Sequence, residues 1–329
     1  MTRCSRPSRS PRPLSRPVLR FFGSKWRIAP FILRHCPPHR VYVEPYGGGG
    51  SILLRKPRAV QEVYNDIHSE VVNLFRVLRD PALAARLQEV CVLTPYAREE
   101  LMLAFDVAQD PVERARRLLV RSWFGLGQDT ATGGRRHYST LNTRVSQAGV
   151  HYAQLWAQWP LQIAAFTQRL AGVVIENREA LEVIARHDGA QTLIYADPPY
   201  VREARGLGGY ADEMNDAEHA GLAERLHAAQ AMVLLSGYAS PLYDRLYADW
   251  ERVELATRAH NLGRRLVART EVLWLNPACA AALRAAEVTG VAGVAEVAGA
   301  EDDNARTAAS PALQPQGVQL ADIQLADQT

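Results

Sequence analysis

Residues 41–51 read Val41-Tyr42-Val43-Glu44-Pro45-Tyr46-Gly47-Gly48-Gly49-Gly50-Ser51. A short apolar run with β-branched residues spells a buried strand. The four glycines that follow end it in a tight turn, and Ser51-Ile52-Leu53-Leu54 opens a helix. Glycines at the carboxyl end of a strand let the backbone approach a ligand closely. Outward from this point the pattern repeats. AVQEVYND (59–66), GVVIEN (172–177), TLIYAD (192–197), AMVLLSGY (231–238) and RTEVLWLN (269–276) read as further strands. Between them lie helical periods. One runs over 68–80, with Val71, Val72, Leu74, Phe75, Val77 and Leu78 on one face, and stops at Pro81. Others are EALEVIARH and the amphipathic stretch 216–229. Strands separated by helices predict an α/β fold with an open, mostly parallel sheet.

The stretch 80–168 breaks this rhythm. ARRLLVRSWFGLG is helical and basic, LQIAAFTQRL is helical, and 129–152 is polar, arginine-rich and without period. We expect an inserted, mainly helical module there, because the stretch is too long for a crossover connection. It divides the α/β domain into 18–79 and 169–280. Residues 1–17 alternate Arg, Pro and Ser with almost nothing to bury, so a disordered tail is expected. Residues 281–329 are Ala-rich and then acidic. A second disordered tail is expected there, after a short helix around 278–288.

Composition narrows the class. The chain has 329 residues, 47% of them apolar, enough for a sizeable core. No run approaches the roughly 18 apolar residues of a membrane span. The four cysteines form no CxxC pair and no Cys/His ligand spacing, so neither a structural metal nor a disulfide scaffold is expected. A reducing, cytoplasmic setting follows as the expectation. The net charge of +3 conceals six arginines and no acid in residues 1–20, against seven acids and two arginines in residues 281–329. The body is nearly neutral, so overall charge does not announce a nucleic-acid binder. Of the 38 basic residues only Lys25 and Lys56 are lysine. Where lysine appears in so arginine-biased a chain, its compact ammonium is a candidate for a specific task.

Three segments carry chemistry. In the first, Glu44 and Pro45 lead into Gly47, Gly48 and Gly49, and Asp66 follows at the end of the next strand. An α/β fold places there the acid that accepts hydrogen bonds from ribose hydroxyls. Together they favour a nucleoside-containing ligand, although a glycine run alone is an ordinary turn. It is no phosphate-binding P-loop, because no lysine follows it. The second is Asp197-Pro198-Pro199-Tyr200, at a strand's carboxyl end. The proline pair takes the chain rigidly out of the sheet and leaves carbonyls free. An acid, a fixed carbonyl and an aromatic face within four residues suit a planar amine. The third is Phe21-Phe22-Gly23-Ser24-Lys25. Here Lys25 can pair with a carboxylate or phosphate and Phe21 can stack on a ligand, or both can be plain surface and core.

These segments, in this order, resemble the Dam-like family of DNA N6-adenine methyltransferases. The likeness spans roughly 18–280 through FFGSK, VEPYGGGGSILL, YNDI, ENREA, DPPY, LSGY and EVLWLN. It implies a Rossmann-like methyltransferase sheet, S-adenosylmethionine as cofactor and double-stranded DNA as partner, with neither metal nor membrane. Phe21, Lys25, Glu44, Pro45, Gly47, Gly48, Gly49, Asp66, Asn177, Glu179 and Asp197 match cofactor contacts. Asp197, Pro198, Pro199 and Tyr200 match the catalytic segment. Glu179 stands where the family more often has aspartate. The 80–168 insertion matches the target-recognition region. In its polar loop Arg135, Arg136, Asn142 and Arg144, with His137 and Tyr138 between them, are candidates for DNA contact, because arginine reads guanine and asparagine reads adenine in the major groove. A solvated loop is the plain alternative. Arg264, Arg265 and Arg269 form a second basic cluster suited to phosphates. A monomer or weak dimer is expected.

The mechanism implied is direct transfer to a base turned out of the duplex. Asp197 and the Pro198 carbonyl accept the amine's hydrogens, and Tyr200 stacks on the base. Three rivals stay open at this point. One is an RNA-adenine or protein-glutamine methyltransferase, which the aspartate at 197 disfavours. Another is a non-catalytic DNA-binding protein on a degenerate methylase fold. The third is a nicotinamide-dependent dehydrogenase, which gives no reason for DPPY.

Overall fold

The computed structural model describes residues 14–20, 23–125, 140–146, 149–204, 212–260 and 266–289. Seven strands form one sheet: β1 (Val41–Glu44), β2 (Gln61–Asn65), β3 (Val174–Glu176), β4 (Thr192–Ala196), β5 (Met232–Tyr238), β6 (Glu251–His260) and β7 (Leu266–Leu275). Their order is β3-β2-β1-β4-β5-β7-β6. The run from β3 to β5 is parallel, with Val43 level with Val63 on one side and Ile194 on the other. β7 lies antiparallel between β5 and β6.

The sheet is buried on both faces because side chains alternate along each strand. Tyr42, Tyr64, Tyr195 and Leu234 enter one apolar cluster. Their neighbours Val43, Val63, Ile194, Val233 and Leu235 enter another, closed by Val183, Ile184, Leu222 and Leu226 of the helices Ala180–His187 and Asp216–His227. The first cluster also takes in the 80–168 stretch. Helices Pro81–Leu93, Arg98–Leu103, Pro111–Phe124, Tyr152–Gln158 and Ile163–Leu170 share it through Leu87, Leu101, Phe124, Trp156 and Phe166. These helices and the sheet thus bury one common core.

Three differences from the sequence expectation stand out. β6 was not anticipated. Its alternation rests on Val253 and Leu255 alone, both only half-buried, and charged residues dilute the period. The last helix, Pro277–Thr289, stands where a short helix was expected, around 278–288, but it buries Ala286 and so belongs to the fold past the boundary at 280. At the other end Leu14 to Pro17 are already held: Trp159 Nε1 donates to the Pro17 carbonyl (3.1 Å) and Ser15 Oγ to Gln162 Oε1 (3.1 Å). Among the described residues no helix is long and apolar enough to cross a membrane. Cys36, Cys91 and Cys279 are buried free thiols, and burial pushes each thiol pKa up.

The connectivity decides where a ligand goes. The chain leaves β1 toward β2 on one side, and β4 lies on the other. That divergence opens a crevice beyond the carboxyl ends of β1 and β4, where open α/β sheets bind ligands.

Candidate active site

Glu44 closes β1, is 2% exposed, and accepts hydrogen bonds from Tyr42 Oη (2.9 Å) and the Leu53 backbone N–H (3.0 Å). Burial pushes its carboxyl up to about 8 despite both bonds, and the nearby Asp197 adds to the rise. The loop beyond it is laced to β2. Gly47 N–H donates to the Asn65 carbonyl (2.8 Å), Gly50 N–H to the Gly47 carbonyl (2.7 Å), and Gly48 N–H to Asp66 Oδ2 (2.7 Å). Glycine is required twice. A Cβ on Gly47 would collide with the Tyr64 ring, and Gly50 has φ +61 with its Cβ site 2.9 Å from Phe75.

Asp66 accepts from Gly48 N–H through Oδ2 and from His68 N–H through Oδ1 (2.8 Å). Burial raises its pKa and those two bonds oppose the rise. It faces the cavity described below, but its first task is to tie the glycine loop to the end of β2. Asn65, overlooked in the sequence, is fully buried and joins three segments. Its Nδ2 donates to the carbonyls of Pro45 (2.9 Å) and Arg178 (3.0 Å), while its Oδ1 accepts the Arg178 N–H (2.9 Å). The signal was an amide directly before the ribose-type acid in YND.

On β4, Asp197 follows the last strand residue. Its Oδ1 lies 2.9 Å from Lys25 Nζ; the lysine side chain is 4% exposed and the aspartate side chain 18%. Burial pushes the Asp197 carboxyl up, and Lys25 pulls it back. Lys25 also donates to the Gly23 carbonyl (2.7 Å) and sits 4.6 Å from the centre of the Tyr200 ring. Tyr200 is 3% exposed, donates from Oη to Glu271 Oε2 (2.9 Å), and meets Tyr238 edge to face at 4.7 Å. Glu271, on β7, was also overlooked in the sequence.

These strand ends surround a cavity of about 730 Å³, within the ~300–1,000 Å³ usual for small-molecule sites. Its wall includes Lys25, Glu44, Gly47 to Gly49, Asp66, Glu179 and Asp197. Among the described residues, Pro199 belongs to that wall, but Pro198, Tyr200 and Asn177 do not. Asn177 instead donates to the carbonyls of Asp66 (2.8 Å) and Ile67 (3.0 Å), so it shapes the end of β2. Acids outnumber cations along the wall, with Asp212, Glu213 and Glu218 added to those named and only Lys25 and Arg178 opposed. Such a cavity favours a cationic guest over a phosphate.

Phe21, Arg135, Arg136, His137, Tyr138, Arg264 and Arg265 lie outside the described residues. Arg144 is exposed. Asn142 corrects the expectation of DNA contact. It is 3% exposed, its backbone bonds Phe124 and Tyr96 Oη, and its side-chain oxygen accepts the Arg144 N–H (3.2 Å). A side chain so enclosed pins its own loop rather than reading a base. No group of three or more His, Cys, Asp or Glu among the described residues is placed to hold a metal ion.

The parallel sheet, the crevice and the two strand-end acids define a class. The chain belongs to the D12 class N6 adenine-specific DNA methyltransferase family, whose model matches residues 21–261. Among curated relatives it is similar to the DNA adenine methylase of Salmonella typhi, 23% identical over 71% of this chain and 84% of that protein. It is also similar to the DNA adenine methylase of Escherichia coli K12, 26% identical over 56% of this chain and 65% of that protein. Among solved structures, a SAM-dependent methyltransferase from Agrobacterium tumefaciens aligns over 77% of this chain and 60% of its own. At 11% identity and a TM-score of 0.34 that likeness is too loose to argue from.

Proposed function

We propose that this family member transfers the methyl group of S-adenosylmethionine to the N6 amine of an adenine turned out of double-stranded DNA. The observation that carries the proposal is the meeting of Glu44 and Asp197, from adjacent strands at the switch point, in one acidic cavity floored by glycines. The residues present fit the cofactor. Gly47 to Gly49 offer a wall without side chains, Asp66 and Glu179 stand at the ends of β2 and β3, and the excess of acid suits a sulfonium and an ammonium. When bound, the cofactor supplies an electrophilic methyl on a cationic sulfur.

Asp197 does the orienting. The adenine amine is a poor nucleophile because its lone pair is delocalised into the ring. Hydrogen bonds from it to the Asp197 carboxylate and the Pro198 carbonyl localise that pair and aim it along the displacement axis. Lys25 favours the ionised form of Asp197 against burial, which keeps it an acceptor and a place for the proton that N6 sheds. The base leaves the duplex because its amine is otherwise paired. With Lys25 near its ring and 3% of the residue exposed, Tyr200 meets a flipped base only after the site opens around it.

DNA contact is assigned to the 80–168 stretch, with exposed Arg144 the described candidate. The expected test result is transfer of labelled methyl from S-adenosylmethionine to unmethylated duplex DNA, with none to single-stranded RNA or to protein. Label on RNA or on glutamine instead would replace this reading.

A further inference from the structure

Glu271 has no part in the chemistry above, yet it touches the catalytic segment. It sits midway along β7, in the cross-strand position opposite Tyr238, the last residue of β5. Because β7 runs antiparallel, its residues before Val272 reach the carboxyl end of β5, so Glu271 lies at the end of the sheet where the crevice opens. There Glu271 Oε2 accepts the Tyr200 hydroxyl at 2.9 Å, and Tyr238, its cross-strand neighbour, meets the same ring. The side chain is half-buried, and Lys25 and Asp197 both act on its charge. A carboxylate removed from water at the edge of an active site is costly unless it is bonded.

We infer that Glu271 is a positioning residue for methyl transfer. Its bond to Tyr200 Oη, with Tyr238 beside it, fixes the Tyr200 ring over Lys25 and so sets where the Lys25–Asp197 pair and the incoming amine meet. The inference rests on the proposed function and on the place of Tyr200 in the catalytic segment. Without Glu271 the Tyr200 hydroxyl keeps only its bond to Asp197, and the ring loses the contact that aims it from the β7 side. Misplacement of a reacting group by about an ångström costs about a hundredfold in rate.

The test is a double-mutant cycle in the full chain, read by single-turnover methyl transfer to duplex DNA, by cofactor affinity and by thermal unfolding. Glu271→Ala and Tyr200→Phe are each expected to slow transfer by about 10-fold to 100-fold, with cofactor affinity unchanged. The double variant is expected to be no slower than Tyr200→Phe alone, because that variant already removes the hydroxyl's bond to Glu271 along with its bond to Asp197. Glu271→Gln keeps an acceptor oxygen and is expected to recover most of the rate. The unfolding midpoints are expected to couple in the same way, a readout that does not depend on turnover. Additive losses would overturn the inference, as would a Glu271→Ala rate equal to or above wild type. A Glu271→Gln variant as slow as Glu271→Ala, with normal unfolding, would overturn it too. A wild type that methylates no adenine would overturn the proposed function, and this role with it. A working wild type beside an unimpaired Glu271→Ala overturns the role alone.

Discussion

Two loops leave neighbouring parallel strands at the same end of the sheet, and they are held in opposite ways. The loop after β1 is held by its own backbone groups: Gly47 N–H on the Asn65 carbonyl, Gly48 N–H on Asp66, and the Pro45 and Gly48 carbonyls on Asn65 and Tyr64, with glycines that nothing larger can replace at Gly47 and Gly50. The loop after β4 is fixed by side chains: Lys25 on Asp197, Glu271 on Tyr200, Tyr238 against the ring. Backbone lacing gives one shape at all times and suits a cradle for a cofactor. Side-chain lacing can be exchanged for bonds to an incoming base and suits a segment that must release and recapture partners. Substitutions in the first loop should therefore cost folding and affinity, and those in the second should cost chemistry.

The largest expected effect is in the second loop. Asp197→Asn keeps the shape but swaps an acceptor oxygen for a donor, and transfer should fall by about 10²–10³-fold, the usual loss when one aligned charge-stabilising group is removed. Rapid-quench transfer at saturating cofactor measures it. Loss of cofactor binding with no loss of rate in the bound fraction would break the distinction between the loops.

Gly47→Ala should act on folding. Its Cβ meets Tyr64, which is fully buried, stacked on Phe75 at 4.1 Å and bonded to the Gly48 carbonyl, so the ring has nowhere to go. Overpacking of this kind costs about 1–3 kcal/mol. Urea denaturation should show that loss together with weaker cofactor binding, while the rate of bound enzyme stays near normal.

Glu44 sharpens the comparison through pH. Its folded value of about 8 lies above that of an unfolded glutamate, about 4.3. Its contribution to stability is therefore complete below the unfolded value and is lost as pH rises through about 8. Relative to Glu44→Gln, the wild type should lose stability steadily across that window and no further above it. A cationic guest favours the ionised carboxylate, so cofactor binding near neutral pH should release a proton. Calorimetry in buffers of different ionisation enthalpy reads that directly.

The smallest effect belongs to Asp66→Asn. The amide keeps an acceptor for one of the two backbone donors, Gly48 N–H or His68 N–H, and loses the other. The expected loss is about 1 kcal/mol, with a modest fall in cofactor affinity and no change in the transfer step.

Much of this was legible before any coordinates, and the exceptions share a cause. The central parallel strands β1, β4 and β5 announce themselves as apolar runs, because burial on both faces leaves no room for polar alternation. β6 escaped because a half-buried edge strand carries only Val253 and Leu255 as signal. Glu44, Asp66 and Asp197 stood out because chemistry at strand ends has a local signature, and Lys25 because it is one of only two lysines; all four line the cavity. Glu271 lacks one: it lies 71 residues from the tyrosine it holds, and only the antiparallel run of β7 brings them together. Asn142 misled for the converse reason. An asparagine in an arginine-rich loop looks like a base reader, and only tertiary packing shows it folded in under Tyr96 and Phe124.

The most direct test is digestion of duplex DNA to nucleosides after a single turnover with labelled S-adenosylmethionine, for wild type and Asp197→Asn in parallel. The account predicts label in N6-methyladenine alone and at least a hundredfold slower appearance with the variant. Label on another base or atom, or equal rates from the two proteins, would contradict it.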